Sequence, residues 1–267
     1  MIGVVVSGVG GRMGNLIVAT VKEDPDLVMV GGLAHEGHPC IGMDAGMAAG
    51  CGMLGVAVTN NLSELMAGCD VLIDFSVPVF SLKNLEVCGL YRKAIVIGST
   101  GFTAEEMGLV REISRHIPVL LAPNMSVGVN ALFRILRDTA KILGDDFEVE
   151  IVEAHHRLKK DSPSGTAIRM GEVVAESLGR DYSKTARYHR QGECGERSKK
   201  EIGMQTVRGG DIVGDHTVYF IGMGERIEIT HRAHSRDMFS HGAVKAAKWL
   251  INQEPGLYDM QDVLGLQ

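Results

Sequence analysis

The chain has no surplus of positive charge. Its 267 residues carry 27 Lys and Arg against 33 Asp and Glu, a formal net charge of −6, with an isoelectric point near 5.9. Such a balance gives no global attraction to nucleic acid or to an anionic membrane, so neither is expected as a partner and any anionic ligand must be held locally. Cysteines are few: Cys40, Cys51, Cys69, Cys88 and Cys194 are odd in number and scattered. They include no close pair of the metal or redox kind, which fits a reduced, cytoplasmic compartment. No apolar segment reaches the roughly 18 residues of a spanning helix. The opening MIGVVVSGVGG lacks a basic leader and a cleavage pattern, so it is expected to be a first strand. Aromatic residues are scarce as well, at 5% with one tryptophan.

Glycine is what the chain has in excess, with 34 residues against an average usage of about 7%. No internal repeat accounts for them, and glycine permits tight turns and close backbone approach, so the excess points to loops built around ligands. Hydrophobic residues at 45% and charged residues at 22% are ordinary for a folded chain, and at roughly 100 to 200 residues per domain the length suggests two domains.

Short β-branched runs alternate with helical patterns through the first half. Strands are expected at Ile2 to Val6, Leu27 to Leu33, Asp70 to Phe75, Ala94 to Gly98 and Ile117 to Ala122, and helices at Gly14 to Lys22, Leu62 to Ala67, Val79 to Leu90 and Thr103 to His116. Thr103-x-x-Glu106 has the form of a capping box. This alternation predicts an α/β fold with a parallel sheet covered on both faces. After Pro123 the texture changes: Asn124 to Asn130 is small, polar and glycine-containing, and is expected to be a junction or hinge ahead of an amphipathic helix to Leu143. Phe147 to Glu153, His216 to Ile221 and Arg226 to Arg232 alternate with period two, as in antiparallel or mixed sheets. A last helix is expected at His241 to Ile251, before a short tail.

Gly8, Gly10, Gly11 and Gly14 follow the first strand and open the first helix. Gly8 would allow the tight turn, Gly11 the approach of a pyrophosphate, and Gly14 the packing of helix on strand, with phosphates at the positive helix end. The acidic residue that usually binds the adenosine ribose about 20 residues on is absent from the strand tip, which reads Ala34-His35, with Glu36 beyond. Arg12 and His35 would face a 2′-phosphate, so NADPH is favoured and NADH remains open through Glu36. Gly98-Ser99-Thr100-Gly101 and Ala122-Pro123-Asn124-Met125 each end a parallel strand, the edge where open α/β sheets bind ligands.

The densest chemical constellation runs from Glu153 through His155, His156, Arg157, Lys159, Lys160 and Asp161 to Ser164-Gly165-Thr166. Seven of the ten histidines, at 155, 156, 189, 216, 231, 234 and 241, fall in this later part of the chain. Gly165 and Thr166 would open a helix to Leu178 and offer backbone N–H groups and a hydroxyl to a carboxylate. His156 and Lys159 would hold that group or a second one, while His155 or Lys159 supplies a proton. Adjacent strand positions point to opposite faces, and no Asp or Cys completes a ligand set, so no metal is expected at the histidine pair.

A hydride donor beside a cationic, proton-donating site describes a reductase for a small polyanion. Taken together, Gly8 to Gly14, Asp74-Phe-Ser, Gly98 to Phe102, Asn124 to Asn130, Glu153-Ala-His-His-Arg-x-Lys159, Ser164-Gly-Thr-Ala and Arg208-Gly-Gly-Asp-Ile-Val-Gly214 resemble the 4-hydroxy-tetrahydrodipicolinate reductase (dihydrodipicolinate reductase) family of bacterial lysine and diaminopimelate synthesis. The resemblance runs through nearly the whole chain. It implies a Rossmann-type, doubly wound parallel sheet in a dinucleotide-binding domain of residues 1–126 with 236–267. It also implies a second α+β domain with a mixed sheet at residues 127–235, for substrate binding and assembly into a homotetramer. It makes His155 the proton donor, Lys159 a catalytic and substrate-contacting lysine, and His156, Gly165 and Thr166 the dicarboxylate site, with Arg236 joining on closure. Gly8, Val9, Gly10, Gly11, Arg12 and Met13, with Gly98 to Thr100 and Ala122 to Met125, become cofactor loops. The resemblance implies NADPH or NADH as cofactor; Ala34, His35 and Val77 stand where family members commonly carry an acidic, a basic and a basic residue, departures that bear on the use of both cofactors and not on activity. Two rival readings are another nicotinamide-dependent dehydrogenase of aspartate-family metabolism and a dinucleotide-binding protein without chemistry. The first would need its own base or a reactive cysteine, and Cys194 is a poor candidate. The second predicts damage at His155 or Lys159, and both residues are present.

Overall fold

A computed structural model describes residues 1–266, and its contacts divide the chain into two compact units, Met1–Val127 with Asp237–Gln267 and Gly128–Arg236. In chain order the elements are β1 (Ile2–Ser7), α1 (Arg12–Glu23), β2 (Leu27–Leu33), α2 (Ala45–Ala49), β3 (Val58–Thr59), β4 (Val71–Asp74), α3 (Pro78–Tyr91), β5 (Ala94–Ile97), α4 (Ala104–Ile113) and β6 (Pro118–Leu121). They continue with α5 (Val127–Leu143), β7 (Glu148–His155), α6 (Gly165–Ser177), α7 (Tyr182–Thr185), β8 (Ala186–Arg187), β9 (Ile202–Arg208), β10 (Gly214–Ile221), β11 (Arg226–Ala233), α8 (Asp237–Leu250), β12 (Gly256–Tyr258) and α9 (Met260–Leu264).

The first unit is a parallel seven-stranded sheet in the order β12-β6-β5-β4-β1-β2-β3. Its central strands are uninterrupted apolar runs because both faces are covered: Val4 and Val6 enter one core with Ile17, Val18, Ala243 and Leu250 of α1 and α8. Val5 and Leu72 enter the opposite core with Leu85 and Val110 of α3 and α4. The chain order reverses between β1 and β4, which makes the carboxyl ends of those two strands the topological switch point, where such sheets bind ligands. The capping box of α4 is present, with Thr103 and Glu106 bonding each other's backbone N–H.

The second unit is a mixed sheet, β11-β10-β7-β9-β8, antiparallel on one side of β7 and parallel on the other. Along β7 alternate residues are buried. Val149 and Ile151 pack with Phe133 and Leu136 of α5 and Met170 and Val174 of α6, so one sheet face is closed by two helices.

Several elements differ from the sequence expectations. Val127 to Asn130 is helical from the start, the first turn of α5, so the irregular segment is confined to Asn124–Ser126. Leu62–Leu65 is a short 3-10 turn rather than an α-helix. The last long helix begins at Asp237, four residues earlier than His241. The tail holds a strand and α9, whose capping box is built from Asp259 and Asp262. β9 has no counterpart among the expected strands.

Candidate functional site

In the first unit the glycine loop has the backbone that only glycine adopts comfortably: Gly8 and Gly10 have φ of +90° and +88°. A Cβ on Gly14 would overlap the Gly8 carbonyl, and one on Gly10 would overlap the His38 ring. The loop binds itself closed, with Gly8 N–H to Leu33 O at 2.9 Å, Gly11 N–H to Gly8 O at 3.0 Å and Gly10 N–H to Asn15 Oδ1 at 2.8 Å. Arg12 and Met13 then open α1, where backbone N–H groups have no intrahelical acceptor. No acidic side chain occupies that first turn. A pyrophosphate fits this cradle: positive helix end, exposed amides and no Cβ in the way.

A crevice of about 640 Å³ runs beside the loop, lined by Gly8, Val9, Gly11 and His35 among the expected residues. His38, Phe75, Phe80, Lys83 and Asn84 also line it and were not anticipated. His35 Nδ1 donates to Glu36 O at 2.8 Å, and its ring lies edge-on to His38 at 5.0 Å and 6.4 Å from Phe80. Lys83 Nζ stands 5.6 Å from the Phe80 ring centre. Beneath them Asp74, wholly buried, accepts from Ser76 N at 2.8 Å and Asn84 Nδ2 at 3.1 Å, and Asn84 donates also to Ser7. That network ties the ends of β1 and β4 to α3.

The two further loops stand at the same carboxyl edge, after β5 and β6. Gly98 packs under the Phe75 ring, Ser99 is buried and accepts from Ser81 Oγ at 2.8 Å, and Thr100 is exposed. Ala122 and Met125 are buried, Pro123 is exposed, and Asn124 Oδ1 accepts from Ser126 N at 2.9 Å. Ala122 N–H donates to Ile97 O, which joins the two loops.

In the second unit, strand register builds the chemical cluster. Glu153 faces His216 across β10 and Thr206 across β9, and His155 faces Arg208. These residues continue the core face of β7, β9 and β10, which is apolar at Val149, Ile151, Ile202, Met204, Val218 and Phe220 and turns polar at its end. Glu153 is 1% exposed, yet five bonds satisfy its carboxylate. His155 Nδ1 donates to Oε2 at 2.6 Å, Arg208 binds both oxygens at 2.8 Å, and Ser164 N–H and Thr206 Oγ1 donate to Oε1 at 3.0 and 3.3 Å. Burial alone would raise this carboxyl; the bonds from His155 and Arg208 outweigh it and pull its pKa down to about 2. His216, buried, pairs through Nε2 with Ser164 Oγ at 2.9 Å and sits edge-on to His155 at 5.1 Å. Burial, with the neighbouring His155, pushes its pKa down to about 3, so it is neutral.

Ser164 caps α6 by accepting from Ala167 N–H, and Gly165 stands exposed at the helix mouth with open space where a Cβ would be. The loop between is held by His156 N–H to Ile212 O, Arg157 N–H to Gly210 O and Arg208 Nη2 to Asp161 O at 2.7 Å. Those bonds explain why the 208–214 motif belongs to the site. Lys159 Nζ is 2.9 Å from Asp161 Oδ2, and His156 Nδ1 is buried with no hydrogen-bond partner among the described residues. His155, His156, Lys159 and the Gly165–Thr166 helix mouth are thus brought together. Arg236 is half-buried beyond β11; its side chain makes no hydrogen bond or ion pair among the described residues, and nothing ties it to this cluster. Sequence reasoning assigned no role to Glu153, Arg208 or His216. The Glu153-x-His155 spacing, which puts both on one strand face, was the available signal.

A Rossmann-ordered parallel sheet with a glycine-loop cradle, in one chain with a mixed-sheet unit rich in cationic groups, defines a nicotinamide-dinucleotide oxidoreductase of the two-unit class. The chain belongs to the dihydrodipicolinate reductase family: the family's N-terminus matches residues 2–125 and its C-terminus residues 128–264. It is 67% identical over the full length of both chains to the 4-hydroxy-tetrahydrodipicolinate reductases of Geotalea uraniireducens and Citrifermentans bemidjiense. Among solved structures, dipicolinate-bound dihydrodipicolinate reductase from Paenisporosarcina sp. TG-14 shares the fold, with a TM-score of 0.77 at 24% identity and 98% of each chain covered. An amine dehydrogenase from Mycobacterium smegmatis is more distant, at a TM-score of 0.59 and 14% identity over 96% of this chain and 94% of that one.

Proposed function

We infer that this chain reduces 4-hydroxy-2,3,4,5-tetrahydrodipicolinate to tetrahydrodipicolinate with NADPH or NADH, releasing water, in lysine biosynthesis through diaminopimelate. The observation that carries this reading is the gathering of an imidazole, an ammonium and a helix mouth at the polar end of one sheet face, in a chain whose full-length relatives bear that activity by name. The net reaction consumes one hydride and one proton and expels the 4-hydroxyl as water. A bound nicotinamide dinucleotide supplies the hydride, and the Gly8 to Met13 loop with the crevice past His35 would hold it.

The chain's own groups do the rest. The Gly165 and Thr166 end of α6 receives one carboxylate. His156 and Lys159 hold the second, for which Lys159 exchanges its present partner Asp161, and the unpartnered Nδ1 of His156 gains an acceptor. His155 supplies the proton at the ring carbon next to the hydride acceptor, with Lys159 beside it. Gly98 to Thr100 and Ala122 to Met125 border the nicotinamide end, and Arg236, which stands apart from the cluster in this structure, adds a cation to the substrate only on closure. Ala34 at the strand tip removes the usual ribose-binding carboxylate, and Arg12 and His35 attract a 2′-phosphate, so NADPH is the better cofactor; Glu36, which also lines the crevice, makes NADH a competent second.

The chain functions as a homotetramer built on the outer face of the mixed sheet, where Val207, Tyr219 and Ile221 stand among charged neighbours. Light scattering should then give four times the 28.7 kDa of one chain. The deciding experiment is NAD(P)H oxidation coupled to the enzyme that condenses pyruvate with aspartate semialdehyde. Absorbance should fall with both cofactors, at a lower KM for NADPH. No loss with either overturns the function, and a strong NADH preference overturns the cofactor order.

A further inference from the structure

The buried carboxylate of Glu153 has no part in the chemistry above, yet it meets both halves of the site. We propose that Glu153, held by Arg208, is a positioning residue that fixes the His155 imidazole with its proton on Nδ1, leaving Nε2 as the nitrogen that delivers the proton, and that anchors the mouth of α6 to the same carboxylate. The proposal rests on the functional reading above for the identity of the reaction.

Five donors converge on the two oxygens, and Glu153 accepts only, so the 2.6 Å bond to His155 must carry its hydrogen on Nδ1. Nε2 points the other way, where a Cβ on Gly214 would stand 3.0 Å from it. Glycine at 214 keeps that side uncovered, and Nε2 has no hydrogen-bond partner among the described residues. When protonated, the ring carries hydrogens on both nitrogens. The Nε2 hydrogen leaves to the substrate carbon, the other hydrogen stays on Nδ1, donated to Glu153, and the ring ends neutral in one defined tautomer. The carboxylate beside it holds the ring in one orientation and one tautomer, as in other carboxylate–histidine pairs. Arg208 keeps Glu153 ionised, and by reaching Asp161 O it ties the Lys159 loop to the same centre. Because Oε1 also accepts from Ser164 N–H, the proton donor and the anion-binding helix end share one reference point.

The rival is that Glu153 is only the buried counter-ion of Arg208. Two measurements separate them. Nitrogen-15 NMR of histidine-labelled full-length wild-type chain should show the neutral His155 ring protonated at Nδ1; a ring protonated at Nε2 overturns the proposal. Glu153→Gln keeps an acceptor for Ser164 N–H but turns an amide donor towards Nδ1. It should lower kcat by about 10²- to 10⁴-fold with KM for the cofactor unchanged, and Glu153→Asp should retain more turnover than Glu153→Gln. Wild-type kcat in a folded Glu153→Gln overturns the proposal, and if that variant does not fold, the tautomer decides alone. Absence of turnover in the wild type would instead defeat the functional reading, while the tautomer measurement stands on its own.

Discussion

The Lys159 side chain is four-fifths buried, and that of its partner, Asp161, is mostly exposed. Asp161 is held well into its ionised range by that lysine's hydrogen bond, against a smaller opposing effect of burial. An exposed partner is easily exchanged, so a substrate carboxylate can replace it at little cost. Lys159→Ala should cut kcat by about 10²- to 10⁴-fold, while the dissociation constant of NADPH, measured by fluorescence titration, stays near wild type because every residue lining the crevice lies in the other unit. Loss of cofactor binding in that variant would contradict the assignment. Two glycines give a contrast at the same scale. Gly101 (φ +95°) has nothing within reach of a Cβ, whereas Gly10 (φ +88°) faces the His38 ring. Gly101→Ala should therefore cost only the left-handed backbone strain, about 1–2 kcal/mol. Gly10→Ala adds displacement of His38 and should lower Tm further and weaken NADPH binding. Equal effects of the two on Tm would show that the His38 contact does not matter.

At the scale of elements, α6 depends on one hydroxyl. Ser164 Oγ accepts from Ala167 N–H and pairs with His216 Nε2. Ser164→Ala should cost about 1 kcal/mol for the lost cap and about 1–3 kcal/mol more for leaving buried His216 unpaired. Denaturant melts would read that loss, and KM for the substrate should rise as the helix mouth frays. Unchanged stability would mean that His216 finds another partner. The start of α6 was legible in Ser164-Gly-Thr because capping is local chemistry. The parallel sheet was legible for a related reason: strands buried on both faces are plain apolar runs. β9 was not, since its core-facing positions Ile202, Met204, Thr206 and Arg208 change from apolar to polar where the strand enters the site, while outward Val207 is apolar. The functional end of the strand thus hides the period-two pattern that would reveal it. Arg208 was out of reach for the same reason, because only register places it beside a residue 55 positions earlier. α9 was missed because its capping pair is Asp259 and Asp262 rather than the usual Ser or Thr with Glu.

For the whole molecule, buried polar groups set how stability answers to acid. His216 has a folded pKa lowered from 6.5 to about 3. Its contribution is therefore complete above pH 6.5, where folded and unfolded chains both hold it neutral. It is lost as pH falls towards 3, since the unfolded chain takes up the proton first. One such group gives a slope of about 1.4 kcal/mol per pH unit over that window, and His231, lowered chiefly by burial, acts in the same sense. Glu153 enters lower down: its folded pKa of about 2 lies below the unfolded 4.5, so its stabilisation is complete above pH 4.5 and lost as pH falls through that interval to 2. Asp44 and Glu150 add to it. Asp44 is lowered by backbone N–H groups that outweigh desolvation, and Glu150 by Arg190 and Arg197 against its burial. Urea midpoints measured from pH 8 to pH 3 should fall in two stages, gently from about 6.5 and steeply below about 4.5. His216→Asn, which can still reach Ser164, should flatten the upper stage and leave the lower one in place. An upper stage unchanged in that variant would show that other groups, not His216, carry the proton.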